Sequence, residues 1–153
     1  MIGNNIILRL AVKEDLKWVY EWRNHPDIRK NFFNSYPISF KDHEQWFANA
    51  MSSKSIELLI GMDKDSPVGS LRYDINGDKA EVSVYVKPDL HGKGIGTDIL
   101  IKGNTWLKEN RPETKIIFAK IISKNTSSIK AFKKAGYEKS HVTYIFRLNK
   151  RNK

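Results

Sequence analysis

The sequence predicts an α/β protein of the α+β kind, with helices packed on a mixed, mostly antiparallel sheet. Three observations carry this expectation. Ile56–Met62, Val68–Ile75 and Lys79–Val86 read as strands, the last with strictly alternating apolar and polar residues at its start, and Asn76-Gly77-Asp78 between the last two is a hairpin turn. Longer stretches repeat their apolar residues at helical spacing instead. The two kinds interleave in the order β-α-α-β-β-β-α-β-α-β-β, which makes seven strands and about four helices.

Asn5–Val12 reads as the first strand. Lys13–Asn24 is helical, because Val12, Leu16, Val19, Tyr20 and Arg23 recur at helical spacing and Pro26 follows its end. Ser39 caps a second helix whose Phe40, His43, Phe47 and Ala50 share a face. After the three central strands, a glycine-rich loop opens helix Gly94–Glu109. Strand Lys115–Ile122 leads to helix Thr126–Ala135, capped by Asn125 or Thr126 and ended by Gly136, which can adopt the left-handed conformation. Strands near Tyr137–Ser140 and Thr143–Leu148 close the chain.

At 153 residues the chain fits one domain, 1–149, followed by a basic tail, 150–153, expected to be disordered. No apolar run is long enough for a transmembrane helix, and the first residues lack a signal-peptide stretch, so a cytoplasmic location is expected. Cysteine is absent, which excludes disulfides, cysteine-ligated metals and a cysteine nucleophile, and no metal site is expected. The net charge of +10 is unevenly placed: residues 87–153 hold sixteen Lys/Arg against five Asp/Glu, whereas residues 1–86 hold eleven against twelve. Such a basic half suits an anionic small molecule or a nucleic-acid backbone.

The most specific stretch is Val84 to Thr97, where a strand runs into His91-Gly92-Lys93-Gly94-Ile95-Gly96-Thr97. Three glycines in five positions let consecutive backbone N–H groups converge, and the helix that follows adds its positive end. Lys93 can supplement that field. A P-loop is absent, and the dinucleotide fingerprint fails at Thr97. A plain helix-capping turn is the alternative. The spacing His91-x-x-Gly94-x-Gly96 resembles the acetyl-coenzyme A pyrophosphate loop of the GNAT acyltransferases, Gln/Arg-x-x-Gly-x-Gly/Ala. The segment from Asn125 through Ser128 to Gly136-Tyr137 is similar to the Asn-x-x-Ala/Ser helix ending in Gly-Phe/Tyr that follows the loop in that superfamily. Both pieces stand in the family's order, each after a strand.

This resemblance implies a GNAT fold and an N-acetyltransferase that takes acetyl-coenzyme A as cosubstrate, without metal, by direct attack in a ternary complex. It places the cosubstrate against His91, Gly92, Lys93, Gly94, Ile95, Gly96 and Thr97, and against Asn125, Ser128 and Phe132. It further implies that strand Lys79–Val86 splays from its parallel neighbour, so that the backbone of Val84 and Val86 receives the pantetheine arm; ordinary ladder pairing is the alternative. His91 stands where the family prefers Gln or Arg, and either donates to a phosphate oxygen or sits exposed in the turn. Phe132 replaces a Tyr that in many members protonates the departing thiolate, which leaves the acid unassigned. A thiol of pKa near ~8.5 is a tolerable leaving group unaided. Glu81 is the candidate base for the acceptor amine: it lies on the Ser83/Tyr85 face of its strand, while Ala80, Val82, Val84 and Val86 line the other. A solvated strand-end carboxylate is the alternative.

Acceptor choice is read from Glu21-Trp22-Arg23-Asn24-His25-Pro26-Asp27, followed by Ile38-Ser39, His43 and Trp46-Phe47. This region resembles that of GNAT enzymes acetylating a 4-amino group on a UDP-linked dideoxy sugar in pseudaminic acid biosynthesis; the Arg-Asn-His-Pro run and the Ile-Ser…His spacing carry the match. Arg23, Asn24, His25, Arg29, His43 and Trp46 are the expected acceptor-binding residues. Arg23 and Arg29 can meet a diphosphate, while Trp22, Phe32, Phe33 or Trp46 can stack on a base or sugar. Buried packing roles for Trp18, Trp22 and Trp46, and pairing of Arg23 with Asp27, are the alternative. The expected partner is a small-molecule amine, first a UDP-linked amino sugar; no membrane is expected, and a homodimer is compatible. Acetylation of a protein N-terminus, as on ribosomal proteins, and a basic nucleic-acid-binding module are the competing readings.

Overall fold

The computed structural model describes residues 5–148, so the tail expected at 150–153 lies outside the described residues. Five strands form one sheet in chain order: β1 (Ile6–Leu10), β2 (Ile56–Asp63), β3 (Ser66–Asn76), β4 (Lys79–Val86) and β5 (Ile116–Phe118). The first four are antiparallel to their neighbours, and β5 runs parallel to β4. Asn76 pairs with Lys79, and Gly77 at φ 63° makes the tight return between them. The helices are α1 (Leu16–Asn24), α2 (Pro26–Arg29), α3 (Phe40–Ser52), α4 (Ile95–Asn110) and α5 (Thr126–Lys134).

The first helix starts later than its spacing suggests, because Lys13–Asp15 forms a 3-10 turn. The buried carboxylate of Asp15 accepts from the Val12 amide at 2.8 Å and from both Arg9 guanidinium nitrogens at 2.8 and 2.9 Å, which ties this turn to β1. The short α2 adds a fifth helix to the four expected. Pro26 reads as a helix stop, yet at a first helical position its missing N–H is harmless and its φ is already set. His25 completes the start, its Nδ1 accepting from the Asp27 amide at 3.2 Å.

Two cores flank the sheet. On one side Leu71, Tyr73, Ala80 and Val82 pack beneath Ile99, Leu100 and Leu107 of α4 and Phe132 of α5. On the other, Leu58 and Ile60 meet Val19 of α1 and Phe47 of α3. Helix α4 lies close to the strands only because Gly69 and Gly103 lack side chains; a β carbon at Gly69 would sit 2.5 Å from Ile99 Cδ1.

The two strands expected near Tyr137–Ser140 and Thr143–Leu148 do not form, and residues 138–148 run exposed without regular secondary structure. The strand expected over Lys115–Ile122 shortens to Ile116–Phe118. Among the described residues the sheet therefore has five strands rather than seven. Alternation supplies only the side-chain pattern, whereas a strand also needs a neighbour's amides and carbonyls, and β4 withdraws from β5 after Glu81.

Candidate active site

The withdrawal of β4 creates the site. The Lys87 amide donates to the Val68 carbonyl at 2.8 Å, which fixes the ladder phase: odd-numbered residues of β4 aim their backbone groups at β3, and Val82, Val84 and Val86 aim theirs toward β5. The rungs between β4 and β5 are Lys79↔Ile116, Ala80↔Ile117 and Glu81↔Phe118, and there they stop. Past that point Ala119, Lys120 and Ile121 face Val84 and Val86 across a cleft of about 1140 Å³. The backbone groups of Val84 and the amide of Val86 are thus presented to open space in mid-sheet.

One end of the cleft is the glycine loop. Gly92 and Gly94 take φ values of +78° and +77°, which turn the chain sharply into α4. No side chain caps the helix, so the first amides of α4, at Ile95, Gly96 and Thr97, are left without a cap, and all three residues line the cleft. His91 does not contribute a free donor here: its Nε2 lies 3.1 Å from the Val86 carbonyl, which can only accept, so the imidazole ties the loop to β4. Lys93 is exposed and does not line the cleft. The opposite wall is α5. Asn125 Oδ1 accepts from the Ser128 amide at 3.2 Å as a helix cap, and Gly136 at φ +96° ends the helix. Asn125, Ser128 and Phe132 all line the cleft, joined by Lys120, Lys124, Lys130 and Lys134, four cations that sequence patterning left among ordinary surface lysines.

Glu81 stands at the fork, half-buried, with Lys120 Nζ 4.0 Å from Oε1. Cross-strand register puts Ser70 opposite Tyr85, Arg72 opposite Ser83 and Asp74 opposite Glu81, all on one face. This polar face is the floor of the cleft's other end, roofed by α1, α3 and residues 27–38. Arg72 bonds Asp74 at 2.9 Å, and its guanidinium lies 5.5 Å over the Trp46 ring. Burial pushes the Tyr85 hydroxyl up to about 12, against Ser70, Arg23 and Arg72, which favour its ionised form. Arg72, Ser70 and Tyr85 are functional candidates that the sequence did not single out. Their only signal is the odd–even partition of two paired strands.

Of the six expected acceptor residues, Arg23, His43 and Trp46 reach this lobe. Arg23 stacks on Phe32 at 4.1 Å and donates to the Asn34 carbonyl at 3.3 Å, so it does not pair with Asp27. The other three hold the roof. Asn24 clasps Ile38 with both ends of its amide, at 2.8 and 2.9 Å, and Arg29 donates to the carbonyls of Asn24 and Ser35. His25 caps α2. Asn24, His25 and Arg29 do not line the cleft, so most of the Arg-Asn-His-Pro run shapes the lobe and only Arg23 enters it.

A family model described as an acetyltransferase (GNAT) domain matches residues 5–138. The chain belongs to the GNAT acetyltransferase family. It is therefore an acyltransferase domain of the class that takes acetyl-coenzyme A. This GNAT chain is 29% identical over 141 residues to an uncharacterised protein of Methanocaldococcus jannaschii, matching 90% of itself and 29% of that protein. It is similar to the acetyltransferase PseH of Campylobacter jejuni in two strains, at 27% over 82 residues and 23% over 131. The first match covers 53% of this chain and 52% of PseH, and the second 85% and 78%. The chain thus spans 29% and about half of the first two curated relatives. Its fold is that of aminoglycoside acetyltransferase AAC(6′)-Ib, solved with an aminoglycoside and acetyl-coenzyme A: TM-score 0.77, 22% identity, 90% of this chain and 85% of that one. Among the described residues no group of His, Asp and Glu is placed to hold a metal ion.

Proposed function

We propose that this domain transfers the acetyl group of acetyl-coenzyme A to the primary amine of a small molecule, with a nucleotide-linked 4-amino-dideoxy sugar as first choice. The observation that supports this reading is the single cleft that runs from the amide cluster of α4, past the β4–β5 fork, into the Arg23–His43–Arg72 lobe. Its donor set suits the cosubstrate. Uncapped amides at Ile95, Gly96 and Thr97 match a diphosphate, the lysines of α5 and its approach add positive potential, and Val84 and Val86 offer a strand edge to an amide-bearing arm.

The cosubstrate supplies the activated acyl group; the residues do the rest. Val84 and Val86 fix the thioester in the fork, and the polar face below presents the amine, so that two reactants meet in one orientation. Glu81, at the fork, is the base that takes the proton an amine of pKa ~10 carries in. Phe132 offers no proton for the departing thiolate. Neither does Tyr137, whose ring abuts Phe132 but whose hydroxyl donates to Asn104 Oδ1 at 2.8 Å. The thiolate leaves as such; the second proton of the attacking nitrogen passes to water as the amide forms, and water returns a proton to the sulfur.

The charge of the acceptor lobe favours a sugar nucleotide over a polycation. Arg72 pairs with Asp74 and Lys30 with Asp27, whereas Arg23 has no carboxylate partner among the described residues. An aminoglycoside or polyamine would bring further positive charge to an unneutralised arginine. Similarity to PseH supports the same choice. The test is release of free thiol from acetyl-coenzyme A with a panel of UDP-linked 4-amino sugars, aminoglycosides and N-terminal peptides. Turnover is expected with the amino sugars. Release with peptides alone would replace the acceptor, and release with none would remove the reading.

A further inference from the structure

Two polar atoms of the acceptor lobe are buried without a partner: Nη1 of Arg23 and Nε2 of His43. They come from different helices, α1 and α3, and both side chains line the cleft. His43 is only 3% exposed, packed among Tyr20, Trp46 and Phe47 with ring centroids 5.3 to 6.2 Å apart. A buried polar atom left unmatched destabilises the fold by about 1–3 kcal/mol, so two in one lobe are unusual. The Leu16 backbone beside the His43 ring favours a hydrogen on it, and with Nε2 unpartnered that influence falls on Nδ1. A backbone carbonyl can only accept; Nδ1 therefore carries the hydrogen, and Nε2 is left with a bare lone pair.

We propose that His43 and Arg23 form a two-point reader for the acceptor, His43 Nε2 accepting from an O–H or N–H of that molecule and Arg23 Nη1 donating to a neighbouring oxygen. This deepens the proposed function and rests on it. The pairing fits a group that shows a donor beside an acceptor: adjacent sugar hydroxyls, or the N–H and carbonyl of a uracil ring. Neutrality of the ring is part of the device. Burial lowers the affinity of His43 for a proton, and the Arg23 charge lowers it further against the opposing pull of the Leu16 backbone. The group enters beneath the stretch that covers the guanidinium, where Phe32 stacks and the Asn34 carbonyl accepts; Asn31–Pro37 has no helix or strand to unfold.

The experiment has two parts. With ¹⁵N-histidine-labelled protein, a long-range ¹H–¹⁵N spectrum reads the tautomer directly; a protonated Nδ1 and a bare Nε2 are expected for His43. A proton on Nε2 overturns the proposal. Kinetics then compare the parent with His43→Phe, which keeps the ring volume, and His43→Gln, which restores an acceptor near Nε2. The probes are a UDP-linked 4-amino-4,6-dideoxyhexose and the methyl glycoside of the same sugar. His43→Phe should raise the acceptor KM at least tenfold while the KM for acetyl-coenzyme A holds, and His43→Gln should recover most of the loss. A rise with both probes assigns the sugar hydroxyls, and a rise with the UDP-linked probe alone assigns the nucleotide. An unchanged acceptor KM in a folded His43→Phe protein means the two atoms share an internal water, and the reader falls. A parent inactive on both probes defeats the proposed function instead.

Discussion

Glu81 is the proposed base, and it forms the last rung before the strands part. Replacement by Gln keeps the size and removes the base. Glu81→Gln should lower kcat/KM by about 10²–10⁴-fold, most at neutral pH. Rates unchanged from about pH 6 to about pH 9 would take Glu81 out of the mechanism. His43 makes a second prediction, this one about stability. The folded chain disfavours a proton on this ring, whereas the unfolded chain binds it near the ordinary 6.5. Stability from His43 is therefore complete above about pH 6.5 and declines as pH falls from there through the lowered folded value. The Tm of the parent should drop more steeply on acidification than that of His43→Gln; parallel curves would refute this. Sequence patterns pointed to Glu81, Arg23 and His43, and the fold brings all three to the cleft. They could not locate Arg72, Ser70 or Tyr85, because nothing within β3 or β4 alone shows which side chains meet across the register.

At the scale of elements, helix starts and stops were the most legible parts. Ser39 caps α3, Asn125 caps α5 and Gly136 ends α5, each as its local chemistry requires. Strands were less so, since Thr143–Leu148 alternates yet has no neighbour to bond. Two predictions belong here. Gly94 sits in left-handed geometry beside the α4 amides. Asp tolerates that backbone better than Ala does but brings a negative charge. If the amides hold a diphosphate, Gly94→Asp should raise the acetyl-coenzyme A KM more than Gly94→Ala; the reverse order would mean the loop only turns the chain. Asn125→Ala should lower stability by about 1 kcal/mol, seen as a reduced Tm, and a Tm equal to the parent's would deny the cap.

The molecule as a whole keeps the charge asymmetry visible in its composition, and the fold explains its use. Lys120, Lys124, Lys130 and Lys134 gather on one wall of the cleft although no two are sequence neighbours. The acetyl-coenzyme A KM should rise as salt increases from about 0.05 to about 0.5 M, where screening shortens to a few Å; a flat profile would assign the lysines to solvent. The family was readable from two short motifs, while the depth of the fork depends on where pairing ends, a property of two strands 37 residues apart at Lys79↔Ile116. The fork also leaves a trace in deuterium uptake. Amides in the middle of a sheet normally exchange slowly, but those of Val84 and Val86 meet solvent with no bonded neighbour and should exchange within seconds. When the cosubstrate fills the gap they should slow sharply, which makes β4 a gauge of occupancy that needs no turnover to be read.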